Sequence, residues 1–497
     1  MSSKVYSASI YGMEGKLIEI EVDTAPGQPV FNIVGLPDAA VKEAKERVTS
    51  AIKNSGFKSP NFFGRITVNL APADLKKEGP FFDLPIALGF LLASKQISSL
   101  PKSSVFMGEL SLDGRLRKIK GALPVALSLK EKGMKNLFLP EETAPEANLA
   151  EEINVFPVKS LKDFTQALNK NVFQKLPKKD LSDFFLQEDM EDFDFCYIKG
   201  QEHAKRALEI AVSGGHNILL SGPPGSGKTM LAKSVISIMP EMSKPESFEV
   251  TKLYSVAGLT DNSRPLIANR PFRNPHHSSS PVSLVGGGVF PKPGEISLAN
   301  RGVLFLDEFP EFSRELIENL RQPLEDGTIS ISRAQGSLNF PARFMLIAAM
   351  NPCPCGNATD PEKFCTCTPA QVSRYKRRLS GPILDRIDLH IEVPRLKFEK
   401  LSGNKPAEES KKAKERVVRA REIQKNRFKK LSLITNSEMN TKLIGRFCPI
   451  GEPEKQLLKS AINQMNLSPR AYHRILKVAR TIADLSGEKN INTNHLA

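Results

Sequence analysis

The stretch HNILLSGPPGSGKT, His216 to Thr229, sets a short apolar run ahead of a glycine-rich loop, and a helix-like run follows it. Gly222, Pro223, Pro224, Gly225, Ser226, Gly227, Lys228 and Thr229 fill the pattern G-x-x-x-x-G-K-[ST]. Glycines at those positions let successive backbone N–H groups turn onto phosphate oxygens. Lys228 would reach the outer phosphates and Thr229 would hold Mg²⁺. With Met230 next in line, these residues form the expected ATP-binding set. The strand–loop–helix context makes the motif specific, because the spacing alone carries no fold.

Working outward, QEHAKRALEIAVSGG reads as a helix before the strand HNILLSG, and strand and helix patterns alternate to about Pro394. Such alternation predicts a parallel sheet. GVLFLDE, Gly302 to Glu308, is a buried strand ending in two acids. Asp307 would complete the Mg²⁺ shell and Glu308 would activate the attacking water. ARFMLIAAMN is a further strand ending at Asn351, which would orient that water or merely cap the strand. SGPILDRIDLHIEVP carries Arg386, either an arginine offered to a neighbour's phosphate or a partner of Asp385 or Asp388. SPRAYHRILKVAR starts a helix with Arg470 in its first turn, a phosphate contact or a plain surface arginine.

At 497 residues the chain exceeds one core, so two to four domains are expected. No run of 18 apolar residues occurs and the first residues lack a signal-peptide core, which suggests a cytoplasmic protein without a membrane span. The net charge of +15 is uneven: residues 371–430 carry 19 Lys/Arg against 8 Asp/Glu, whereas 180–195 carry seven acids and no base. The basic segment suggests a polyanion partner or a solvated helix face. Residues 1–171 read as a compact α/β domain and 172–195 as an acidic linker. Residues 196–395 read as the nucleotide domain and 396–497 as helices. The chain ends at NTNHLA, which reads as the start of a helix and suggests a short or cropped C-terminus.

Four of six cysteines, Cys353, Cys355, Cys365 and Cys367, fall within fifteen residues as C-x-C-x₉-C-x-C. Two chelating pairs joined by a loop predict one tetrahedral Zn²⁺ with a structural role; four free thiols are the alternative.

Together these pieces resemble the AAA+ ATPases. RPFRNPHH, VGGGVFPKPGEISLANRGVLFLDE, MNPCPCG and SGPILDRIDLHIEVP, with the N-terminal NIVGLPDAAVKEAKERV and FDLPIALG, resemble the magnesium-chelatase-like family over nearly the whole chain. The resemblance implies a multidomain α/β fold: an N-terminal domain like the Lon protease catalytic domain (the ribosomal S5 domain 2-like fold), a central AAA+ P-loop ATPase domain and a C-terminal helical lid. It implies that Lys228 and Gly222–Thr229 are Walker A, Asp307 and Glu308 Walker B, Asn351 sensor 1, Arg386 the arginine finger, Arg470 sensor 2, and Ile198–Gln201 the adenine contact. It further implies a homo-hexameric ring, and competence-type members are DNA helicases that drive branch migration during natural transformation. DNA, single-stranded or branched, is then the expected partner. A protein-remodelling or chelatase-associated ATPase with no nucleic-acid role is the alternative.

Departures from the Lon pattern matter. Phe81 stands where the nucleophilic serine would be and Pro124 near the lysine position, so no protease chemistry is expected. Lys76, Lys77 and Lys118 read as solvated charges or nucleic-acid contacts. His276 and His277, adjacent and read on a strand, are expected to be structural. Loops around 283–301 and 327–342 are expected to face a pore, with Lys292 and Arg333 as phosphate contacts and the 411–430 helix as the fallback.

Overall fold

The computed structural model describes residues 2–75, 77, 79–185, 193–288, 292–333, 336–360, 362–396, 408–431, 433–465 and 467–497. They form two compact units, Met1–Leu186 with Lys244–Ala268, and Gln187–Ser243 with Asn269–Ala497.

In the first unit, Ser2–Tyr11 and Glu14–Ala25 form an antiparallel hairpin, as the alternating pattern predicts. Arg65–Ala71 pairs with the second strand and Val30–Val34 takes the edge. The Ala39–Asn54 helix starts where Asp38 accepts the Val41 N–H at 2.7 Å. The Asp83–Ala93 helix is apolar on every face, and ten of its eleven residues are buried. A three-stranded parallel sheet of Ser104–Phe106, Asn136–Pro140 and Asn154–Val158 completes the unit. The turn at Asp113-Gly114 joins only two-residue strands, Glu109–Leu110 and Leu116–Arg117. Ser104–Phe106, just upstream, is the edge of the parallel sheet.

The Lys244–Ala257 helix, read as part of the nucleotide domain, belongs to this first unit. Glu146, 4% exposed, holds it there by accepting from Ser255 Oγ and from Thr260 Oγ1 at 2.6 Å, while the Leu123 N–H donates at 2.9 Å. The acidic segment is anchored too: Leu181 is buried with Leu123, Leu149 and Leu266.

Lys77 is not a solvated charge. Its side chain is buried and its ammonium donates to the Pro72 carbonyl. Lys118 Nζ donates to the Thr260 carbonyl at 2.9 Å. Lys76 lies outside the described residues. Phe81 packs against the Ala8–Val105–Val125 cluster, and Pro124 is buried in the Ala122–Glu131 helix.

Asp83 is fully buried and takes Arg47 in a bidentate pair, Nε at 2.6 Å and Nη2 at 3.0 Å, plus the Leu110 N–H at 3.1 Å. Burial pushes its carboxyl up to about 6 against the pull of Arg47. A carboxyl raised in the fold contributes stability that is present below its unfolded pKa, near 4. That contribution is lost as pH rises through about 6. Arg47→Ala strands the charge. The expected loss is about 3–5 kcal/mol at neutral pH, shrinking towards pH 5 as Asp83 protonates, read by urea unfolding. An equal loss at both pH values would assign the effect to packing alone.

The second unit is built on a five-stranded parallel sheet in the order Phe272–Arg273, Val303–Leu306, Met345–Met350, Ile218–Ser221, Leu389–Glu392. Its interior strands are continuous apolar runs, as a sheet covered on both faces requires. Helices Glu202–Gly214 and Lys228–Ile238 pack on the sheet, and among the described residues from 408 onward only helices and loops occur, with Ser410–Arg427 and Pro469–Ser486 the longest helices. The 327–342 loop forms a hairpin, Thr328–Arg333 against Gly336–Pro341, with 334–335 outside the described residues. Among the described residues no helix is long and apolar enough to cross a membrane.

Candidate nucleotide site and cysteine cluster

The glycine-rich loop leaves the carboxyl end of the Ile218–Ser221 strand and enters the Lys228–Ile238 helix. Gly227 has φ +90, a left-handed geometry that suits glycine at the helix start. The Lys228 ammonium, 8% exposed, donates to Gly222 O at 2.7 Å, Pro223 O at 3.0 Å and Asn351 Oδ1 at 3.3 Å. All three of its donors are therefore engaged. Burial pushes Lys228 below its ordinary pKa, with Asp307 pulling the other way. Thr229 Oγ1 donates to Asp307 Oδ2 at 2.9 Å, and the Glu308 N–H donates to Asp307 Oδ1 at 2.9 Å. Lys228, Thr229, Asp307, Glu308 and Asn351 thus converge where three parallel strands end. The oxygens of Thr229 and Asp307 fit a hard cation such as Mg²⁺.

Glu308 sits at φ +52, in the left-handed region that costs a non-glycine residue about 1 kcal/mol or more. His277 Nδ1 lies 3.2 Å from Glu308 Oε2. Sequence reading missed this contact. The histidines lie past the Phe272–Arg273 strand and not on it, their rings are 4.1 Å apart, and His276 bonds Ser278 Oγ at 2.7 Å. With side chains 35% and 54% exposed, the pair adds about 0–1 kcal/mol to stability, so its consequence is the orientation of Glu308. His277→Ala is expected to lower kcat about tenfold at unchanged KM, and His277→Gln, which keeps a donor, to recover part of it. An unchanged kcat would leave the pair a surface contact.

Arg386 and Arg470 meet elsewhere. Arg386, expected either to serve a neighbour's phosphate or to pair with Asp385 or Asp388, pairs with Glu325 and donates to the Pro382 carbonyl, so the local pairing is not formed. Arg470, 61% exposed, lies 3.7 Å from the same Glu325. Among the described residues neither bonds the glycine-rich loop of its own chain. Arg474, one turn after Arg470, was not singled out by sequence. It donates to Ile387 O at 2.5 Å and Leu384 O at 3.3 Å, tying the Pro469–Ser486 helix to the segment that carries Arg386. The i,i+4 spacing was the available signal. His216, fully buried, bonds Asp388 Oδ2 at 3.2 Å and Thr481 Oγ1 at 2.8 Å, and Asn217 Nδ2 donates to Arg386 O at 2.9 Å. Gln201, at φ +58, donates to Pro394 O at 2.6 Å beside exposed Tyr197 and buried Ile198. Met230 is 55% exposed.

Cys353, Cys355, Cys365 and Cys367 converge with all four sulfurs within 4.8 Å of one another. Three sulfur pairs lie at 3.4, 3.6 and 3.7 Å. A tetrahedral Zn–S₄ site has edges of about 3.8 Å. N–H groups of Asn357 and Thr366 hold the Cys355 thiol well below its ordinary pKa, and the Cys355 N–H donates to Cys367 Sγ at 3.4 Å. The cluster abuts the nucleotide loop. Gly356 has φ +82, and a Cβ there would lie 2.6 Å from Pro224 Cδ.

The parallel sheet, the loop at its carboxyl edge and the C-terminal helices fit an AAA+-like multidomain protein. Residues 194–401 match the sequence model described as magnesium chelatase, subunit ChlI. Residues 20–143 and 407–497 match two further models, for subunit ChlI of Mg-chelatase and for its C-terminal part. Competence protein ComM of Haemophilus influenzae is 48% identical over 99% of this chain and 96% of its own length. The uncharacterized protein YifB of Escherichia coli is 41% identical over 99% and 95%. The DNA replication licensing factor Mcm2 of Drosophila melanogaster is 28% identical over 39% of this chain and 20% of its own length. The chain belongs to the magnesium-chelatase-like family that includes ComM and YifB, a relationship that suggests an ATPase.

Proposed function

We propose that the chain is an ATP-driven DNA motor, a cytoplasmic homo-hexameric helicase that promotes branch migration during recombination and natural transformation. The observation that carries the reading is its likeness to a competence protein along 99% of its length. The N–H groups of the glycine-rich loop and Lys228 cradle the ATP phosphates. Thr229 and Asp307 hold Mg²⁺, which neutralises charge on those phosphates when bound. Glu308 takes the proton of the attacking water, Asn351 orients that water, and Arg386 with Arg470 approaches the nucleotide of a neighbouring subunit. Phe81 and Pro124 supply neither nucleophile nor base at the two positions where the Lon pattern has them, so we assign the N-terminal unit the role of a Lon-like scaffold. Arg333's side chain lies outside the described residues and Lys292 is exposed. Both stay as proposed pore-side phosphate contacts.

Hydrolysis should rise on adding single-stranded or branched DNA, and the DNA affinity should fall steeply with salt. A rate indifferent to DNA would favour a protein-remodelling role. The four sulfurs fit a structural zinc, whose thiolates would brace the loop between Asn351 and the Pro369–Lys376 helix. Metal analysis of protein purified without chelator is expected to give about one zinc per chain. Metal-free protein with four titratable thiols and full ATPase activity would overturn the assignment.

A further inference from the structure

Beside the cysteine cluster lies an open groove of about 630 Å³. Cys367, Pro369, Val372 and Leu379 give it apolar walls, and Lys376 and Arg377 add two cations. Lys363, Arg374, Lys376 and Arg377 are all exposed and make no ion pair with a described residue. The nearby acids offset little of this: Arg395 lies 3.3 Å from Asp360 and 3.7 Å from Glu362, and Arg378 lies 2.5 Å from Glu311, so two arginines balance two of the three acids and one negative charge is left against the four cations. The surface therefore carries uncompensated positive charge. Phe364, in the loop between the two cysteine pairs, is 94% exposed. It adjoins Cys365, whose sulfur lies within 4.8 Å of Cys367 Sγ at the groove. A phenylalanine left in water contributes no burial to the fold.

We propose that this groove binds single-stranded nucleic acid, with Lys376 and Arg377 on phosphates and Phe364 stacked on a base. Free phosphate would need only the cations, and an acidic peptide offers no flat face for the ring. A single strand presents phosphates and unstacked bases together, whereas a duplex hides its base faces. The inference takes its ligand class from the nucleic-acid reading above but places the strand away from Lys292, Arg333 and the 411–430 helix.

The test is fluorescence anisotropy of full-length protein with a labelled oligothymidine of about 20 nucleotides, across a salt series. Phe364→Ala is expected to weaken binding about tenfold and to leave binding of a duplex of equal length unchanged. The double variant Lys376→Glu, Arg377→Glu is expected to flatten the slope of log affinity against log salt by about 1.4 or more. Circular-dichroism melting and sedimentation confirm that each variant folds and assembles as the wild type does. Variants that bind the oligonucleotide like wild type would overturn this site alone. Variants that lose self-association together with binding would make the face a contact between copies and overturn it as well. A wild type that binds no nucleic acid would overturn both this inference and the proposed function.

Discussion

Alanine at Arg386 is expected to lower ATP turnover by about 10³-fold or more while ATP still binds the variant's own loop. The side chain is 12% exposed, is held by Glu325 and the Pro382 carbonyl, and bonds nothing in its own glycine-rich loop among the described residues. Its segment is fixed by three residues: Asn217, just before the Ile218–Ser221 strand, His216 through Asp388, and Arg474 on the Pro469–Ser486 helix. A side chain so firmly placed, yet away from its own nucleotide loop, is suited to a site completed by a second subunit. Mixing Arg386→Ala with Glu308→Gln protein should therefore restore part of the activity. Normal hydrolysis by Arg386→Ala would remove the arginine from the mechanism.

Glu308→Gln is expected to abolish turnover by about 10²–10⁴-fold with ATP affinity kept. The amide cannot take a proton, but Thr229 and Asp307 remain joined at 2.9 Å and Lys228 keeps its bonds to Gly222, Pro223 and Asn351. Nucleotide binding by equilibrium dialysis beside phosphate release separates the two effects. Loss of binding together with turnover would mean that Glu308 supports the loop rather than the water. Retained turnover would move the base elsewhere, with His277 the nearest candidate at 3.2 Å.

What could be read in advance was local. The strand–loop–helix at Ile218 to Ile238 and the acids after Leu306 follow from runs of adjacent residues, and each lies where its pattern predicts. The strand order was not legible, because parallel neighbours such as Ile218 and Ile347 meet across more than a hundred residues. Lys77 looked solvated because charge dominates KKEGPFF, yet the Pro72 carbonyl five residues away gives its ammonium a buried partner. The 244–268 segment looked like part of the nucleotide domain because it follows that domain's helix. Its apolar residues, Leu266 among them, carry no label saying which core they enter, and the carboxylate that receives it, Glu146, lies more than a hundred residues upstream. The His277 contact escaped because a strand was assumed where the chain turns. The cysteine pattern was legible as a whole, since two short chelating pairs need only a loop to bring them together.

The most direct measurement of the central claim is strand exchange on a preformed three-strand or four-way DNA junction, with the full chain, Mg²⁺ and ATP. The account predicts ATP-dependent conversion of the junction by the wild type and none by Lys228→Ala, whose ammonium no longer serves the phosphates. Junctions left intact by a wild type that hydrolyses ATP, or resolved equally by Lys228→Ala, would contradict it.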